Sequence, residues 1–360
     1  MGRRILVIGA GVSGLTTARC LIDAGFSVAV LAEKSAEATP SVIAGALWEW
    51  PPAVCGHHSN QESLQRSKQW AVDSYRTFQA LSAQPASGVR MATAVFYFRQ
   101  PIRECPWELA KMQEAARHVE GFEHSPSLIE RHGVNSAIGL CDAYSFLAPL
   151  VETDVYMHWL REGLVKEGCQ FEQRKISTRL NDAQDSLCAE FDAEAIVNCA
   201  GLGSMELTGD AMQPLRGALV RVHNDGVNMP RVATAHCIGL TDRMPQQQMV
   251  YIIPRGEDML VLGGIAELGQ WNVEIGMASY EPVREIWRRC QEFLPILQQA
   301  RIDESRPVAV GLRPYREKNV RLEREPGCRI VHNYGHGGSG FTFSWGCSQE
   351  VVSLVQGIVV

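Results

Sequence analysis

The chain has 360 residues, enough for two domains and too many for one small core. Apolar residues make up 46% and charged residues 21%, the balance of a folded enzyme and not of a disordered chain. A formal net charge of −6 gives no electrostatic reason to expect nucleic acid or an anionic membrane as partner, and no apolar run reaches the ~20 residues that span a bilayer.

Met1-Gly2-Arg3-Arg4 leads into an apolar stretch that runs straight into a glycine-rich turn, so the start is expected to be mature structure and not a signal peptide. Residues 5–8 are continuously apolar and β-branched, as in a buried parallel strand. Gly9-Ala10-Gly11-Val12-Ser13-Gly14 follows. Residues 15–24 then have helical spacing, with Leu15, Ala18, Leu21 and Ile22 on one side, and Gly25 stands where a helix stops. A second strand, 27–31, ends near Glu33.

Each part has a physical task. Gly9 permits a tight turn, Gly11 lets the backbone approach a pyrophosphate, and Gly14 lets helix and strand pack closely. The helix start offers N–H groups and the positive end of its dipole to phosphate. Glu33 stands about 20 residues beyond the glycines, where a carboxylate bonds ribose hydroxyls. That acid argues against a 2′-phosphate, although Lys34 lies beside it. The position of the unit at the start of the chain favours FAD over NAD.

Further along, residues 41–50 are small and apolar until Pro51-Pro52 breaks the chain. Helices are expected at 62–80 and 155–168, the latter with Tyr156, Trp159, Leu160 and Leu164 on one face. Strands are expected at 170–176, 195–199, 218–222, 249–253 and 259–262, and a helix at 282–293. The fold class is therefore α/β: a Rossmann-type FAD-binding domain with an interleaved α+β substrate domain built on a mixed, largely antiparallel sheet. Its expected division is 1–45, 140–204 and 300–360 for the FAD-binding domain, against 46–139 and 205–299 for the substrate domain. The eleven cysteines, odd in number and irregular in spacing, suit the reduced thiols of a cytoplasmic protein. His332 and His336 lack a third ligand at a suitable spacing, so no metal is expected. The terminal residues form no peroxisomal tripeptide.

Two C-terminal blocks, Val310-Gly311-Leu312-Arg313-Pro314-Tyr315-Arg316 and His332-Asn333-Tyr334-Gly335-His336-Gly337-Gly338-Ser339-Gly340-Phe341-Thr342, closely resemble the D-amino-acid oxidase and D-aspartate oxidase family. Val197-Asn198-Cys199-Ala200-Gly201-Leu202-Gly203-Ser204, Pro214-Leu215-Arg216-Gly217, Tyr251-Ile252-Ile253-Pro254 and Phe171-Glu172-Gln173-Arg174-Lys175 agree with it in order. The resemblance covers essentially the whole chain. It implies a two-domain fold, non-covalent FAD, and a reaction of a small-molecule amino acid with oxygen. Hydride would leave the α-carbon for flavin N5, giving an imino acid that hydrolyses to a 2-oxo acid and ammonia, with hydrogen peroxide as the other product.

The same resemblance implies the site. Arg313 would hold the substrate carboxylate, which a planar guanidinium matches with two parallel bonds. Tyr251 would assist with its hydroxyl, and the backbone of Gly338 would receive the amine. The cofactor would lie against Gly9 to Gly14, Glu33, Lys34, Ala44, Gly45, Ala46, Lys175, Ile176, Ala200, Gly201 and the stretch Gly337, Gly338, Ser339, Gly340, Phe341, Thr342.

Three departures bear on the substrate side chain. Gln247 stands where many D-amino-acid oxidases carry a second tyrosine. Arg255 replaces the glycine usual after Tyr-Ile-Ile-Pro. The block Ala44-Gly45-Ala46-Leu47-Trp48 continues unusually as Glu49-Trp50. D-Aspartate oxidases place an arginine on a lid, and Arg243 lies near that place. Arg243, Glu49 and Gln247 are therefore the candidates for reading the side chain. The alternatives are an FAD oxidase of glycine, sarcosine or another secondary amine, an oxidase of acidic D-amino acids, an NAD-dependent dehydrogenase, and a non-catalytic flavin-binding protein. Oligomeric state is open, with a homodimer as the candidate assembly.

Overall fold

The computed structural model describes residues 3–52, 58, 60–238 and 249–359. Its first half runs β1 (Arg4–Ile8), α1 (Val12–Asp23), β2 (Ser27–Ala32), α2 (Gln61–Leu81), β3 (Val89–Phe98), α3 (Pro106–Ala115), β4 (Glu120–His124), α4 (Leu128–Arg131), β5 (Asp142–Val151), α5 (Thr153–Lys166) and β6 (Gln170–Gln173). Next come α6 (Leu180–Phe191), β7 (Ala195–Asn198), α7 (Ser204–Thr208), β8 (Gln213–His223), β9 (Ala235–Ile238), β10 (Tyr251–Arg255), β11 (Met259–Gly263) and β12 (Glu267–Leu268). The chain ends with α8 (Glu281–Phe293), β13 (Val308–Tyr315), β14 (Arg321–Arg324), β15 (Ile330–Tyr334) and α9 (Gly340–Val359).

Among the described residues the strands form two sheets. The first has six strands in the order β14-β15-β7-β1-β2-β6. Its central strands are parallel: Ile5 to Ile8 pair with Val28 to Leu31 on one side and with Ala195 to Asn198 on the other. Such strands are covered on both faces, which is why Ile5, Leu6 and Val7 are fully buried and read as an unbroken apolar run. Helix α1 follows β1 because the buried set Val12, Leu15, Ala18 and Leu21 recurs at helical spacing.

The second sheet has nine strands in the order β12-β8-β11-β10-β9-β3-β5-β4, with β13 alongside β8. It is antiparallel except where β3 meets β9. Helix α8 covers it with Val283, Ile286, Cys290 and Phe293, all fully buried. The segments 142–151 and 308–315, which the expected boundaries assign to the FAD-binding domain, are strands of this second sheet.

Several elements differ from the sequence expectation. Strand β8 extends from Gln213 and is longer than the expected 218–222, because β13 pairs with it as far as Tyr315↔Gln213. Strand β6 stops at Gln173, short of 176. Helix α9 was not expected, since its opening reads as a glycine-rich turn. Its mean composition is apolar, and it packs between α1 and α2. Gly346 makes this possible: a Cβ there would stand 2.5 Å from the Trp70 carbonyl oxygen in α2. Among the described residues no helix is long and apolar enough to cross a membrane.

Candidate functional site

The two sheets meet at one cavity of about 760 Å³. One end is the turn between β1 and α1. Gly9 has φ 107°, and Gly14 packs directly on the Gly9 carbonyl, where a Cβ would come within 2.8 Å of the carbonyl carbon. Only glycine allows that approach, so the helix start is pulled down onto the strand end. Gly11 opens helix α1 with no side-chain cap, and Ser41 Oγ accepts from the Val12 N–H at 2.9 Å. A Cβ on Gly11 would meet only that Ser41 oxygen, at 3.2 Å. The turn is thus a small, N–H-rich cradle open toward the cavity, which suits a pyrophosphate.

The cavity wall near this end holds Gly9 to Ser13, Glu33, Lys34, Lys175, Ile176, Ala200 and Gly201. Gly14 is not part of the wall; its role is packing behind it. Lys175 pairs with Glu206 at 3.0 Å, and that bond raises its ammonium pKa, with Glu33 adding to the effect. Glu33 is exposed at the end of β2, where a ribose would reach it.

The opposite wall combines Ala44, Gly45, Ala46, Leu47 and Glu49 with Leu219, Tyr251, Gly311 to Pro314, and Gly337, Gly338, Gly340, Phe341 and Thr342. Ser339 is buried outside the wall. The Gly337 N–H donates to the Pro314 carbonyl at 2.9 Å, which ties the glycine-rich stretch to the residue after Arg313. Gly45 lies flat against the tyrosine: a Cβ there would be 3.1 Å from Tyr251 Cε1. Thus Arg313, Tyr251 and Gly338, far apart in sequence, border one space.

Two arginines on adjoining strands have different surroundings. Arg216 in β8 is buried and satisfied by Glu267 at 2.8 Å, the Tyr280 hydroxyl at 2.9 Å and the Asn272 carbonyl at 2.7 Å. Among the described residues, Arg313 in β13 donates only a long bond, 3.3 Å, to the Ile265 carbonyl. No carboxylate among the described residues pairs with it. A cation left in a half-buried, largely apolar wall without an anion is suited to an anionic ligand.

His336 also borders the cavity. Its Nε2 lies 3.1 Å from Asn333 Oδ1, and its Nδ1 lies 3.4 Å from Ser13 Oγ. Burial pushes its pKa down to about 4, so it is a neutral hydrogen-bonding link between the two glycine-rich segments. His332 instead meets Glu325 at 2.9 Å, and burial lowers its pKa.

Arg255, the residue in place of glycine, does not reach the cavity. It is buried behind the wall and donates to Thr153 Oγ1 at 2.6 Å and to the Ala44 carbonyl at 2.7 Å. Its departure from the family pattern therefore concerns the support of residues 44–45, and the expectation that it bears on the substrate side chain is corrected. Arg243 and Gln247 lie outside the described residues. Sequence reasoning missed Ser41, whose hydroxyl caps α1 from a distant segment. It also gave no role to Gly217, although that residue stands in a quoted block.

Comparison with known proteins agrees with this geometry. The model of a family described as "FAD dependent oxidoreductase" matches residues 4–354. A D-amino-acid oxidase of Rubrobacter xylanophilus is 36% identical over 355 residues, which cover 98% of this chain and 95% of that protein. One from Streptomyces coelicolor is 36% identical over 357 residues, covering 98% and 96%. Among solved structures, glycine oxidase from Geobacillus kaustophilus superposes with a TM-score of 0.76 at 17% identity, over 98% of this chain and 95% of that one. At that identity the likeness concerns the fold alone.

Proposed function

We propose that this chain, which belongs to the FAD dependent oxidoreductase family by its match over residues 4–354, is an oxidase of D-amino acids. The observation that carries the reading is Arg313. Among the described residues it has no carboxylate partner in the cavity that begins at the nucleotide-binding turn. The two D-amino-acid oxidases at 36% identity support the choice of substrate class.

The residues fit non-covalent FAD. The cradle at Gly9 to Ser13 would take the pyrophosphate, Glu33 the ribose, and the side-chain-free stretch Gly337-Gly338 the ring system. When bound, FAD accepts the hydride that leaves the substrate α-carbon. The protein's own part is positional. Arg313 holds the carboxylate by a bidentate, charge-assisted pair. The Tyr251 hydroxyl adds a bond at the same carboxylate, and the Gly338 backbone receives the amine. Neutral His336 adds no competing charge. The apolar wall of Leu47, Leu219 and Phe341 excludes water from the reacting carbon. Overall, amino acid, water and oxygen become 2-oxo acid, ammonia and hydrogen peroxide. Oxygen as acceptor and a cytoplasmic setting belong to this proposal, and a homodimer is its candidate assembly. So does a division by sheets, with the six-stranded sheet binding FAD and the nine-stranded sheet, including 142–151 and 308–315, binding substrate.

The test is anaerobic bleaching of the purified yellow protein by D-alanine, L-alanine and N-methylglycine. D-Alanine should bleach it fastest. Faster bleaching by N-methylglycine would move the chain to the secondary-amine oxidases, and faster bleaching by L-alanine would overturn the stereochemistry.

A further inference from the structure

The chain crosses between the two sheets beside the cavity, and at one crossing the strand that carries Arg313 is bonded directly to the glycine-rich stretch. The Gly337 N–H donates to the Pro314 carbonyl at 2.9 Å, and Tyr315 bridges to His336 in antiparallel fashion. These bonds join the end of β13, in the nine-stranded sheet, to the residues that follow β15 in the six-stranded sheet. Arg313 and Gly338 stand immediately outside this short ribbon, on its two strands. The main-chain contact is narrow, and side chains extend it.

The extension centres on Arg316. Its Nε donates to Asp210 Oδ2 at 2.5 Å, and its Nη1 donates to the Asn319 carbonyl at 2.8 Å. Asp210 lies in the link that leaves β7 through α7 and enters β8, which is a second crossing between the sheets. The same Oδ2 accepts from the Tyr334 hydroxyl at 3.0 Å, and that hydroxyl accepts from Arg321 Nη1 at 2.9 Å. Tyr334 is the fully buried last residue of β15 and borders the cavity. The Arg316 stem rests on Gly335, where an added Cβ would stand 3.1 Å from Arg316 Cβ. The Arg316 and Asp210 side chains are only 14% and 16% exposed, so the pair is sheltered from the screening that weakens surface ion pairs. One carboxylate thus ties both crossings to the strand that leads into the glycine-rich stretch.

We propose that Arg316 is a positioning residue: through Asp210 and Tyr334 it locks the end of β13 against residues 335–337, and so fixes the separation between Arg313 and the ring-binding face at Gly337-Gly338. This rests on the D-amino-acid reading above. Arg316 itself does not border the cavity. Arg313 holds the substrate carboxylate from one sheet, and the glycine-rich stretch holds the hydride acceptor from the other. Their separation sets how closely the α-carbon approaches that acceptor. A misplacement of about 1 Å costs about 100-fold in rate. The carboxylate pair is less exacting, because the long Arg313 side chain moves with its strand and carries the carboxylate along. Loosening the lock should therefore slow the reductive step and leave the affinity for amino acid near that of the wild type.

Arg316→Met, Asp210→Asn and the conservative Arg316→Lys are compared with the wild-type holoenzyme by two measurements. Anaerobic bleaching by D-alanine gives the limiting rate per bound flavin and the half-saturating concentration. Hydrogen exchange reports the backbone amides of residues 335–338. Arg316→Met should lower the limiting rate by roughly 10- to 100-fold, with the half-saturating concentration little changed, and exchange at 335–338 should quicken. Asp210→Asn is nearly isosteric and decides the matter if Arg316→Met does not fold; it should lose about fivefold or more. Arg316→Lys keeps the ion pair and should retain most of the rate. A limiting rate and amide exchange as in the wild type overturn the inference, even with a lower melting temperature, and leave the D-amino-acid reading standing. So does an equal loss of rate in Arg316→Lys and Arg316→Met, or a loss confined to the half-saturating concentration. If D-alanine does not bleach the wild type, the underlying reading falls and this inference with it.

Discussion

The guanidinium of Arg313 occupies the space that the missing side chain of Gly217 leaves: a Cβ at Gly217 would stand 2.5 Å from Arg313 Cζ. The two residues lie on neighbouring antiparallel strands, where Gly217 pairs with Gly311 and Arg313 with Leu215, so the Arg313 side chain reaches back over the partner of Gly311. Its long bond to the Ile265 carbonyl is a further restraint.

Gly217→Ala is therefore expected to displace the guanidinium without removing it. The bidentate pair should weaken, raising KM for D-alanine and lowering kcat/KM. Losing a charge-assisted bond costs about 1.5–3 kcal/mol, so a fall of roughly 10- to 150-fold is expected. Arg313→Ala should fall at least as far. Steady-state kinetics of both variants check this; a Gly217→Ala enzyme with wild-type KM would detach Gly217 from the site.

Gly14→Ala addresses the other end. The new methyl group would be driven into the Gly9 carbonyl, and helix α1 would have to lift from β1. Overpacking of this kind costs about 1–3 kcal/mol. The displaced helix start should also bind pyrophosphate poorly. Thermal melting and the flavin-to-protein absorbance ratio should both drop. Full flavin content would mean that the turn tolerates the shift.

Local chemistry made the first of these regions legible and long-range contact hid much of the second. The strand, turn and helix of residues 4–23 follow from apolar periodicity and glycine placement, which are properties of adjacent residues. The Ser41 cap on Val12, the Arg255 bonds to Ala44 and the Gly217 space for Arg313 join residues far apart in sequence, and no periodicity records them. Helix α9 was obscured because the glycines before and within it read as a turn, whereas Gly346 serves close packing against α2. Resemblance, rather than spacing, singled out Arg313 and Tyr251.

Tyr251→Phe removes one hydroxyl and keeps the ring that packs on Gly45. If that hydroxyl bonds the substrate carboxylate, the loss should be that of one hydrogen bond, about 0.5–1.5 kcal/mol. A two- to tenfold rise in KM with melting temperature little changed is the expected result. A collapse of stability with unaltered kinetics would assign the tyrosine to the core.

Arg255→Ala should act through the wall. It leaves the Ala44 carbonyl without this buried donor, at about 1–3 kcal/mol, while the Thr153 hydroxyl keeps its bond to the Val42 carbonyl. Melting temperature should fall and flavin dissociation should quicken. The ratio of turnover of a bulky D-amino acid to that of D-alanine should stay as in the wild type, because Arg255 does not border the cavity. A changed ratio would place it in side-chain recognition after all.

Acid sensitivity follows from two buried histidines. Burial pushes His336 down to about 4, and His236 is pushed to about 3 by burial and by neighbouring His132. An unfolded histidine titrates near 6.5. Between about pH 6.5 and pH 4 the unfolded chain therefore binds protons at these positions while the folded chain does not. Stability rises with pH wherever the unfolded state binds more protons. The contribution is fully present above pH 6.5 and is lost as pH falls toward 4, at about 1.4 kcal/mol per histidine per pH unit in that window. Melting temperature should decline steeply from pH 6.5 to pH 4.5, and His336→Gln should decline less steeply than wild type while starting from a lower value, since it disturbs the Asn333 and Ser13 bonds. Parallel declines in the two proteins would mean that His336 takes up a proton without leaving its place.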